Sequence, residues 1–442
     1  MSLEDDFETF CNSIDFELSD DMDKTIREIT KKLNSKYYQL VGEEEEHMYV
    51  VGSMGRNTAV KSSSDLDLLF DLPSSVFSKY DKYESNGQSE LLQNVKETLK
   101  EHYPKTKIRA DGQVVVIEFT KYTVELVPGF RQSDDRFKYP DTHGGGSWKY
   151  TDPLSEQYEC VSSSNKSNGA YIDFCHIIRK WKNNQGFKLG GLLIDTFVFN
   201  NFDSYDFEQD YSYDNYLELF KDVLQYISDL DDNQSYWYAL GSNQRVYNKN
   251  NGKFSTKASK ALSKIQNAED NNDNMNDVLR EILGNEFPES KNQKTDNNVS
   301  MALSEVFNNT EEFIENKFPV DIRYSLTIDC KVSQSGFRTF MLREFHNNYI
   351  GIKKKLEFYI SEVDDSLKNS KYDILWKVRN VGKEAVRRNC IRGQIIRGDH
   401  GKPDRRTEHS NFNGKHYVEC FLVKNGVCIA RDRIDVPINN NF

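Results

Sequence analysis

Two aspartates stand two positions apart in an alternating apolar segment, shortly after a Gly-Ser pair. Asp65 and Asp67 lie in Asp-Leu-Asp-Leu-Leu-Phe-Asp, and Gly52-Ser53 follows the apolar run at 48–51. Side chains at i and i+2 of a strand leave the same face, so both carboxylates can hold a shared pair of divalent ions. Backbone N–H groups and a hydroxyl at a helix start favour phosphate oxygens. The combination is typical of nucleotidyl transfer.

A third carboxylate is expected from a neighbouring strand, because two-metal sites need one more anionic ligand. Residues 114–119 and 122–128 predict a hairpin that turns at Thr120-Lys121. On the second strand, Glu125 lies on the face opposite to its apolar neighbours. Glu118 on the first strand is the competitor, and otherwise would be an exposed edge residue. We favour Glu125.

These motifs resemble the nucleotidyltransferase superfamily with a polymerase-β-like catalytic core, in which Gly-Ser and Asp-x-Asp precede a Val-Glu-x-Val-Pro type of strand. More closely, the chain is similar to the bacterial CD-NTases of the SMODS type, relatives of cyclic GMP-AMP synthase and 2′-5′-oligoadenylate synthetase. Further matches are Trp-Lys-Tyr-Thr-Asp-Pro at 148–153, Arg-Lys-Trp-Lys at 179–182 and Gly-Asn-Glu-Phe-Pro at 284–288.

The resemblance implies roles for seven residues. Asp65, Asp67 and Glu125 would be catalytic and would hold two Mg²⁺ ions, with Mn²⁺ able to substitute. Nucleotide phosphates would be bound by Gly52 and Ser53 on one side and by Arg179 or Lys180 on the other. The chain departs from the family pattern at three positions. It has Glu125 where most relatives have Asp, Arg179 where they have Lys, and Gly191 where they have Ser.

The segment 169–184 predicts an amphipathic helix on its own pattern. Its buried stripe recurs at helical spacing and comprises Ala170, Phe174, Ile177, Ile178 and Trp181. Arg179, Lys180 and Lys182 fall outside that stripe, and a basic cluster at a helix end typically lies in solvent and suits the helix dipole. The resemblance favours Arg179 or Lys180 as a phosphate ligand. Lys182 is expected on a solvated surface.

Composition is consistent with an intracellular enzyme of more than one domain. A chain of 442 residues exceeds what one hydrophobic core supports, and 37% apolar residues suffice for packed cores. The seven cysteines are odd in number and lack Cys-x-x-Cys spacing, which favours reduced thiols and no structural metal. Without a signal peptide or a long apolar run, we expect no membrane span and a location in the bacterial cytoplasm.

Charge argues against general nucleic-acid binding. The formal net charge is −12, whereas binding to DNA or RNA is driven by neutralisation of phosphates. Residues 371–406 are an exception, with eleven Lys and Arg against four acids. This excess is either a solubilising face or the mark of an anionic or nucleotide ligand, or an anionic partner, at the C-terminal end.

The second half of the chain changes from helical periodicity to period two after Pro319. Alternating apolar residues occupy 322–328, 372–378 and 418–422, and Lys424-Asn425-Gly426 is a hairpin signal. Such short strands predict a β-sandwich. This half resembles the adenylyl/guanylyl and SMODS C-terminal sensor domain (AGS-C), through residues 376–385, 391–395, 414–420 and 432–437. The resemblance implies a sensor of a nucleotide or infection-linked signal; the alternative is a domain that only stabilises or oligomerises the enzyme.

The predicted fold class is therefore α/β (α+β): a polymerase-β-like nucleotidyltransferase core with a helical second lobe, plus a C-terminal all-β sandwich. The expected domains are a nucleotidyltransferase at 1–288, with lobes at about 1–160 and 161–288, and a sandwich at 319–442. Residues 289–318 are expected to form a polar linker and a connecting helix.

By resemblance, the function would be synthesis of a cyclic di- or oligonucleotide second messenger from NTPs, ATP among them, with release of pyrophosphate. The product would serve antiphage (CBASS-type) signalling and be bound by a separate effector. Two alternatives stay open: transfer of a nucleoside monophosphate to a macromolecule or small molecule, and a catalytically silent sensor or scaffold. His143, in Thr-His-Gly-Gly-Gly, is expected to be a loop residue and not a base.

Overall fold

The structure of the protein is a computed structural model that describes residues 2–204, 212–249, 253–290, 311–345, 349–368 and 370–439. The chain divides into two compact units. The first contains Phe7–Arg179 and Gly190–Ser255 and is here called the catalytic unit, because it contains the predicted catalytic residues. The second, the C-terminal unit, contains Met1–Asp6, Lys180–Leu189 and Thr256–Phe442. Most of the predicted linker at 289–318 lies outside the described residues, and the domain boundaries expected from the sequence stay predictions.

Twelve helices of the described residues are numbered here in chain order. They are α1 Leu3–Ile14, α2 Asp20–Tyr37, α3 Gly52–Gly55, α4 Ser74–Asp81, α5 Gly87–His102, α6 Pro153–Lys166, α7 Ala170–Gln185, α8 Gly191–Phe202, α9 Tyr216–Asp229, α10 Lys253–Asn271, α11 Met275–Leu283 and α12 Lys383–Arg387. The predicted helix at 169–184 is confirmed as α7, and its apolar stripe is buried throughout.

The catalytic unit is built on a seven-stranded sheet with the order β1-β2-β5-β4-β3, extended by β6 and β7. Its strands are β1 Met48–Val50, β2 Asp65–Asp71, β3 Lys107–Asp111, β4 Val114–Glu118, β5 Thr123–Arg131, β6 Phe137–Asp141 and β7 Ser147–Thr151. The predicted hairpin is confirmed as the antiparallel pair β4–β5. In contrast, β2 pairs with β5 in parallel.

Alternation along β2 decides which face of this sheet carries polar groups. Leu66, Leu68 and Phe70 are at most 1% exposed and pack into one core with apolar residues of α2 and α5. Since successive strand residues point to opposite faces, the aspartates between them are held on the other side. The catalytic unit also contains a small hairpin that the sequence did not predict, β8 Tyr236–Tyr238 with β9 Arg245–Tyr247.

The C-terminal unit contains two antiparallel four-stranded sheets, with the orders β11-β10-β12-β15 and β14-β13-β16-β17. Their strands are β10 Leu326–Ser333, β11 Phe340–Met341, β12 Lys355–Val363, β13 Asp373–Arg379, β14 Arg392–Arg397, β15 Arg405–His409, β16 Gly414–Lys424 and β17 Val427–Ile438. Side chains of both sheets share one buried core that includes Trp376 and Phe358, which confirms the predicted β-sandwich. The predicted turn is also confirmed, because Asn425 and Gly426 both have positive φ.

Lys182 was expected on a solvated surface, and that prediction is wrong. Its side chain is buried within the C-terminal unit, where Nζ donates to the backbone oxygen of Ile322 at 2.8 Å. The neighbouring Asn183 donates to the oxygen of Val320 and accepts from the nitrogen of Ile322. The irregular backbone before β10 has no ladder partners for these groups, and buried backbone polar groups require hydrogen bonds. The end of α7 supplies them.

None of the helices in the described part of the chain combines the length and the apolar composition that spanning a bilayer requires. The seven cysteines are free thiols; six are buried, and Cys390 is partly exposed.

Candidate active site

The three predicted carboxylates lie on one face of the central sheet of the catalytic unit. In the parallel register of β2 and β5, Asp67 lies directly opposite Glu125, and Asp65 lies opposite Thr123. Because residues two apart on a strand share a face, Asp65 is on the same side as this pair. All three acids are half-buried, whereas the opposite face is closed by the apolar core. The fold thus places the three acids that the sequence singled out on one face of the sheet, with Asp67 and Glu125 as direct neighbours.

Glu118, the competitor for the third position, lies one strand further from β2 than Glu125. Its register partners are Lys107 on β3 and Thr123 on β5. Both of its carboxylate oxygens accept from Lys107 at 2.9 Å, and Arg109 lies 3.5 Å away. The register therefore favours Glu125 as the neighbour of Asp67.

Gly52 forms the corner between β1 and α3, and its α-carbon lies against the carboxylate of Asp67. A β-carbon built on Gly52 would be 1.9 Å from Asp67 Oδ2, which no real side chain could tolerate. The φ of Gly52 is +65°, in the region that favours glycine. Next to it, the nitrogen of Val51 donates to the oxygen of Asp67 at 2.9 Å. The Gly52-Ser53 corner and the acidic face are therefore one continuous feature.

Directly after α3, Arg56 is the first member of a buried ionic network. Its Nε donates to Asp195 Oδ2 at 2.9 Å, and its Nη1 donates to Glu156 Oε2 at 3.2 Å. Asp195 is completely buried. Burial would raise the pKa of the Asp195 carboxyl, but the guanidinium groups of Arg179 and Arg56 outweigh this effect and hold the pKa below its ordinary value. The network fixes the loop that follows the glycine corner.

Arg179, which the sequence proposed as a phosphate ligand, belongs to the same network. Its guanidinium binds Asp195 in a bidentate manner, with Nη1 to Oδ1 at 2.6 Å and Nη2 to Oδ2 at 2.9 Å. Nη2 also donates to Thr58 Oγ1 at 3.0 Å, and the nitrogen of Thr58 donates to the oxygen of Ser53 at 2.9 Å. With its side chain 6% exposed, Arg179 is bound to the protein itself, and its contact with phosphates stays a prediction.

Lys180 lies in the C-terminal unit, where its Nζ donates to Glu286 Oε1 at 2.5 Å. The side chain is buried, like that of Arg179. This pairing joins two segments that the sequence had singled out separately, the end of α7 and Gly-Asn-Glu-Phe-Pro at 284–288. The proposed role of Lys180 at the phosphates also stays a prediction.

Arg56, Glu156 and Asp195 were not predicted from the sequence. A signal for Asp195 was present, because it is the one charged residue of the apolar helix α8, Gly-Leu-Leu-Ile-Asp-Thr-Phe-Val-Phe-Asn-Asn-Phe. A carboxylate inside such a helix needs a cationic partner to be buried. Glu156 carried no comparable signal: its Oε1 accepts from Ser242, in the turn between β8 and β9, a contact that only the fold creates.

The donor set of the acidic face suits a hard divalent cation. Carboxylate oxygens are preferred ligands of Mg²⁺. Across the described ranges, no group of three or more His, Cys, Asp or Glu side chains forms a ready-made metal cage. Mg²⁺ commonly binds through one or two carboxylates together with substrate phosphates and water. The register pair Asp67–Glu125 beside the glycine corner fits a site of that open kind.

Comparison with known families assigns both ends of the chain. Residues 1–165 match the model of the Second Messenger Oligonucleotide or Dinucleotide Synthetase (SMODS) domain. Residues 308–439 match that of the Adenylyl/Guanylyl and SMODS C-terminal sensor (AGS-C) domain. The matches contain the Gly-Ser, Asp-x-Asp and Trp-Lys-Tyr-Thr-Asp-Pro motifs and the C-terminal segments that carried the resemblance, whereas 179–182 and 284–288 lie outside both.

Individual relatives are distant. A probable cyclic nucleotide synthase of Bacillus cereus (strain VD146) is 23% identical over 179 residues, 34% of this chain and 54% of that protein, so the chain spans about half the length of this curated relative. Among solved structures, CdnC of E. coli MS115-1 with ATP is 15% identical with a TM-score of 0.47, covering 65% of this chain and 99% of its own. The Vibrio cholerae di-nucleotide cyclase DncV is 11% identical with a TM-score of 0.44, and the match covers 65% of this chain and 87% of that structure.

Proposed function

Because the chain belongs to the CD-NTases that combine a SMODS domain with an AGS-C sensor domain, we propose that it makes a cyclic di- or oligonucleotide from NTPs, ATP among them. The reaction would join nucleotides with release of pyrophosphate. One observation carries the proposal: Asp67 and Glu125 are register partners on parallel strands, and the Gly52 corner lies against the Asp67 carboxylate.

The proposed chemistry divides the work between the acidic face and the glycine corner. Asp65, Asp67 and Glu125 would hold two Mg²⁺ ions, with Mn²⁺ able to substitute. When bound, the metal would lower the pKa of the acceptor ribose hydroxyl and neutralise charge on the leaving pyrophosphate. The backbone N–H groups of Gly52 and Ser53 would bind oxygens of the donor triphosphate, within reach of the Asp67 carboxylate.

The buried network would contribute to this chemistry by holding the phosphate-binding corner in place. Arg56 leaves the end of α3 and is fixed by Asp195 and Glu156. Arg179 binds the same Asp195 carboxylate and the Thr58 hydroxyl, and Thr58 is hydrogen-bonded to Ser53. Since the phosphate corner must be held in place while the donor reacts, we assign Arg56, Asp195 and Arg179 as positioning residues.

A second transfer followed by ring closure would give the cyclic product. In the proposed setting the enzyme acts in antiphage (CBASS-type) signalling in the bacterial cytoplasm, and a separate effector binds the product. The support for this setting is the domain pair itself, a SMODS domain with an AGS-C sensor domain.

Incubation of the purified protein with the four NTPs and Mg²⁺ or Mn²⁺, followed by mass spectrometry, tests the proposal. We expect a phosphatase-resistant small nucleotide that is lost in Asp65→Ala/Asp67→Ala but kept in Glu118→Gln, whose carboxylate faces Lys107 and Arg109. Label that appears only on a macromolecule would replace cyclisation by transfer of a nucleoside monophosphate. Full activity of the double alanine variant would refute the site.

A further inference from the structure

The β-sandwich of the C-terminal unit contains a cavity of about 300 Å³ between its two sheets. The floor is made of buried apolar side chains from both sheets, among them Leu356 and Phe358 on β12 and Val418 on β16. The volume is at the small end of the range for ligand sites, roughly 300–1,000 Å³.

The rim of the cavity is polar, in contrast to its floor. Arg392 on β14 and Glu408 on β15 form a bidentate ion pair there, with distances of 2.7 and 2.9 Å. Because β14 and β15 belong to different sheets, this pair bridges the two sheets and closes one wall. Burial would raise the pKa of Glu408, but Arg392 and Arg406 lower it below its ordinary value. The charge of Arg392 is therefore already satisfied within the wall.

Arg388 supplies a second cation at the rim, and its ion pair is more exposed than that of Arg392. Its guanidinium carbon lies 5.3 Å from the centre of the Phe412 ring, and Phe412 meets His416 edge-on at 5.0 Å. The ion-pair partner of Arg388 is Glu384 at 3.1 Å, with side chains that are 44% and 37% exposed. Such an exposed pair is worth little in water. Arg388 can exchange it for an anionic group of a ligand at low cost.

We propose that this cavity binds a small aromatic anion, with one ring system on the apolar floor and a phosphate or carboxylate at Arg388. The cavity lining includes the aromatic residues Phe358 and Phe412, and their ring faces and edges favour a planar partner. A charged head group matches the cation held over Phe412. The ligand chemistry can come from two sources, a mononucleotide or an aromatic carboxylic acid.

Cys390 provides a local measurement of occupancy in the full-length protein. It lines the cavity, and it is the partly exposed cysteine among seven whose other members are buried. The rate of Cys390 alkylation by iodoacetamide, followed by peptide mass spectrometry, should fall when the cavity is filled. We expect saturating AMP or 2-naphthoate to slow alkylation of Cys390. Adenosine or inorganic phosphate alone should need a concentration about tenfold higher or more for the same slowing, because adenosine lacks the anionic group and phosphate lacks the ring system.

Two variants separate the cavity from general surface charge. Arg388→Glu should weaken protection by the anion about tenfold or more, the effect of one charge-assisted hydrogen bond. Arg387→Glu is the matched control, since its side chain is 67% exposed, pairs with the same Glu384 and is not part of the cavity lining. Protection should persist in Asp65→Ala/Asp67→Ala, which makes this test independent of nucleotidyl transfer.

The outcomes decide both the proposal and the source of the ligand. Protection by AMP but not by 2-naphthoate would identify a nucleotide site, and the reverse would identify a site for an aromatic acid. The proposal is overturned if neither probe protects Cys390. It is equally overturned if adenosine protects as well as AMP, or if Arg387→Glu weakens protection as much as Arg388→Glu.

Discussion

The α-carbon of Gly52 lies against the carboxylate of Asp67, so that a β-carbon at position 52 would be 1.9 Å from Asp67 Oδ2. One glycine thus meets two requirements, a left-handed corner and room for an acid that comes from another strand. A phosphate-binding loop alone would need glycine here only for its backbone conformation. The Asp67 carboxylate alone would need it only for the space.

Gly52→Ala should therefore disable the site, and its positive φ also strains the backbone of the variant. The added methyl group displaces the Asp67 carboxylate, and misplacement by about 1 Å can cost about 100-fold in rate. NTP turnover and the melting temperature should be measured on the same preparation. Gly190→Ala is the control, because Gly190 has φ −66° and open space around its α-carbon. Equal turnover of the two variants would contradict the close contact.

Shortening or neutralising Glu125 should lower activity, and the same change at Glu118 should not. Glu125→Asp withdraws the carboxylate from Asp67 by one methylene, for which we expect a loss of about 10- to 100-fold in kcat/KM. Glu125→Gln removes the charge and should lose more. Glu118→Gln, on the adjacent strand, should stay within about twofold, since its ion pairs are at the surface. The reverse order would move the third acid to Glu118.

Removing the acid at the centre of the buried network should destabilise the catalytic unit strongly. Asp195→Ala leaves Arg56 and Arg179 as buried guanidinium groups without their carboxylate, a change that typically costs about 3–5 kcal/mol. Asp135→Asn breaks a surface pair with Arg131, 71% and 41% exposed, and should cost less than about 1 kcal/mol. Calorimetric unfolding of both variants is the measurement. A similar cost for the two would mean that the network contributes little.

Asp173 should make stability depend on pH in a defined direction. Burial raises its pKa to about 6, from an ordinary value of 3.8, with a smaller contribution from Asp15. Folding therefore favours the protonated acid. Its contribution to the free energy of unfolding is fully present below about pH 3.8 and is lost as the pH rises through about 6.

Asp173→Asn stays neutral and can still accept from the Tyr216 hydroxyl, which lies 2.6 Å from Oδ2. Relative to wild type, its free energy of unfolding should rise between about pH 4 and pH 7, by at most about 3 kcal/mol. Chemical denaturation across this range is the measurement, with the exposed Asp81→Asn as control. A difference between variant and wild type that does not change with pH would refute the raised pKa.

Local patterns in the sequence were sufficient for much of the fold. Alternation predicted the acidic face of β2 and the β4–β5 hairpin, and helical spacing predicted the buried stripe of α7. These features depend on neighbours along the chain, and their periodicity is visible in the residues themselves.

Contacts between distant segments were not predictable in the same way. Lys182 had the pattern of a solvated cation, yet it is buried because the backbone at Ile322 needs a donor. Arg179 was expected at the phosphates by resemblance alone, and its bidentate pairing with Asp195 could not be seen in the sequence. In each case the partner lies on another element, so only the tertiary arrangement decides which polar group a buried cation meets.

The parallel pairing of β2 with β5 has a consequence for the order of events during folding. These strands are separated in the chain by two helices and the β3–β4 hairpin, whereas β4–β5 is an immediate neighbour pair. Nearby hairpins close quickly, but a long-range parallel contact must first overcome the entropy of a large loop. During refolding, enzymatic activity should consequently return only after most of the circular dichroism signal has recovered. The return of activity would then mark the pairing of β2 with β5.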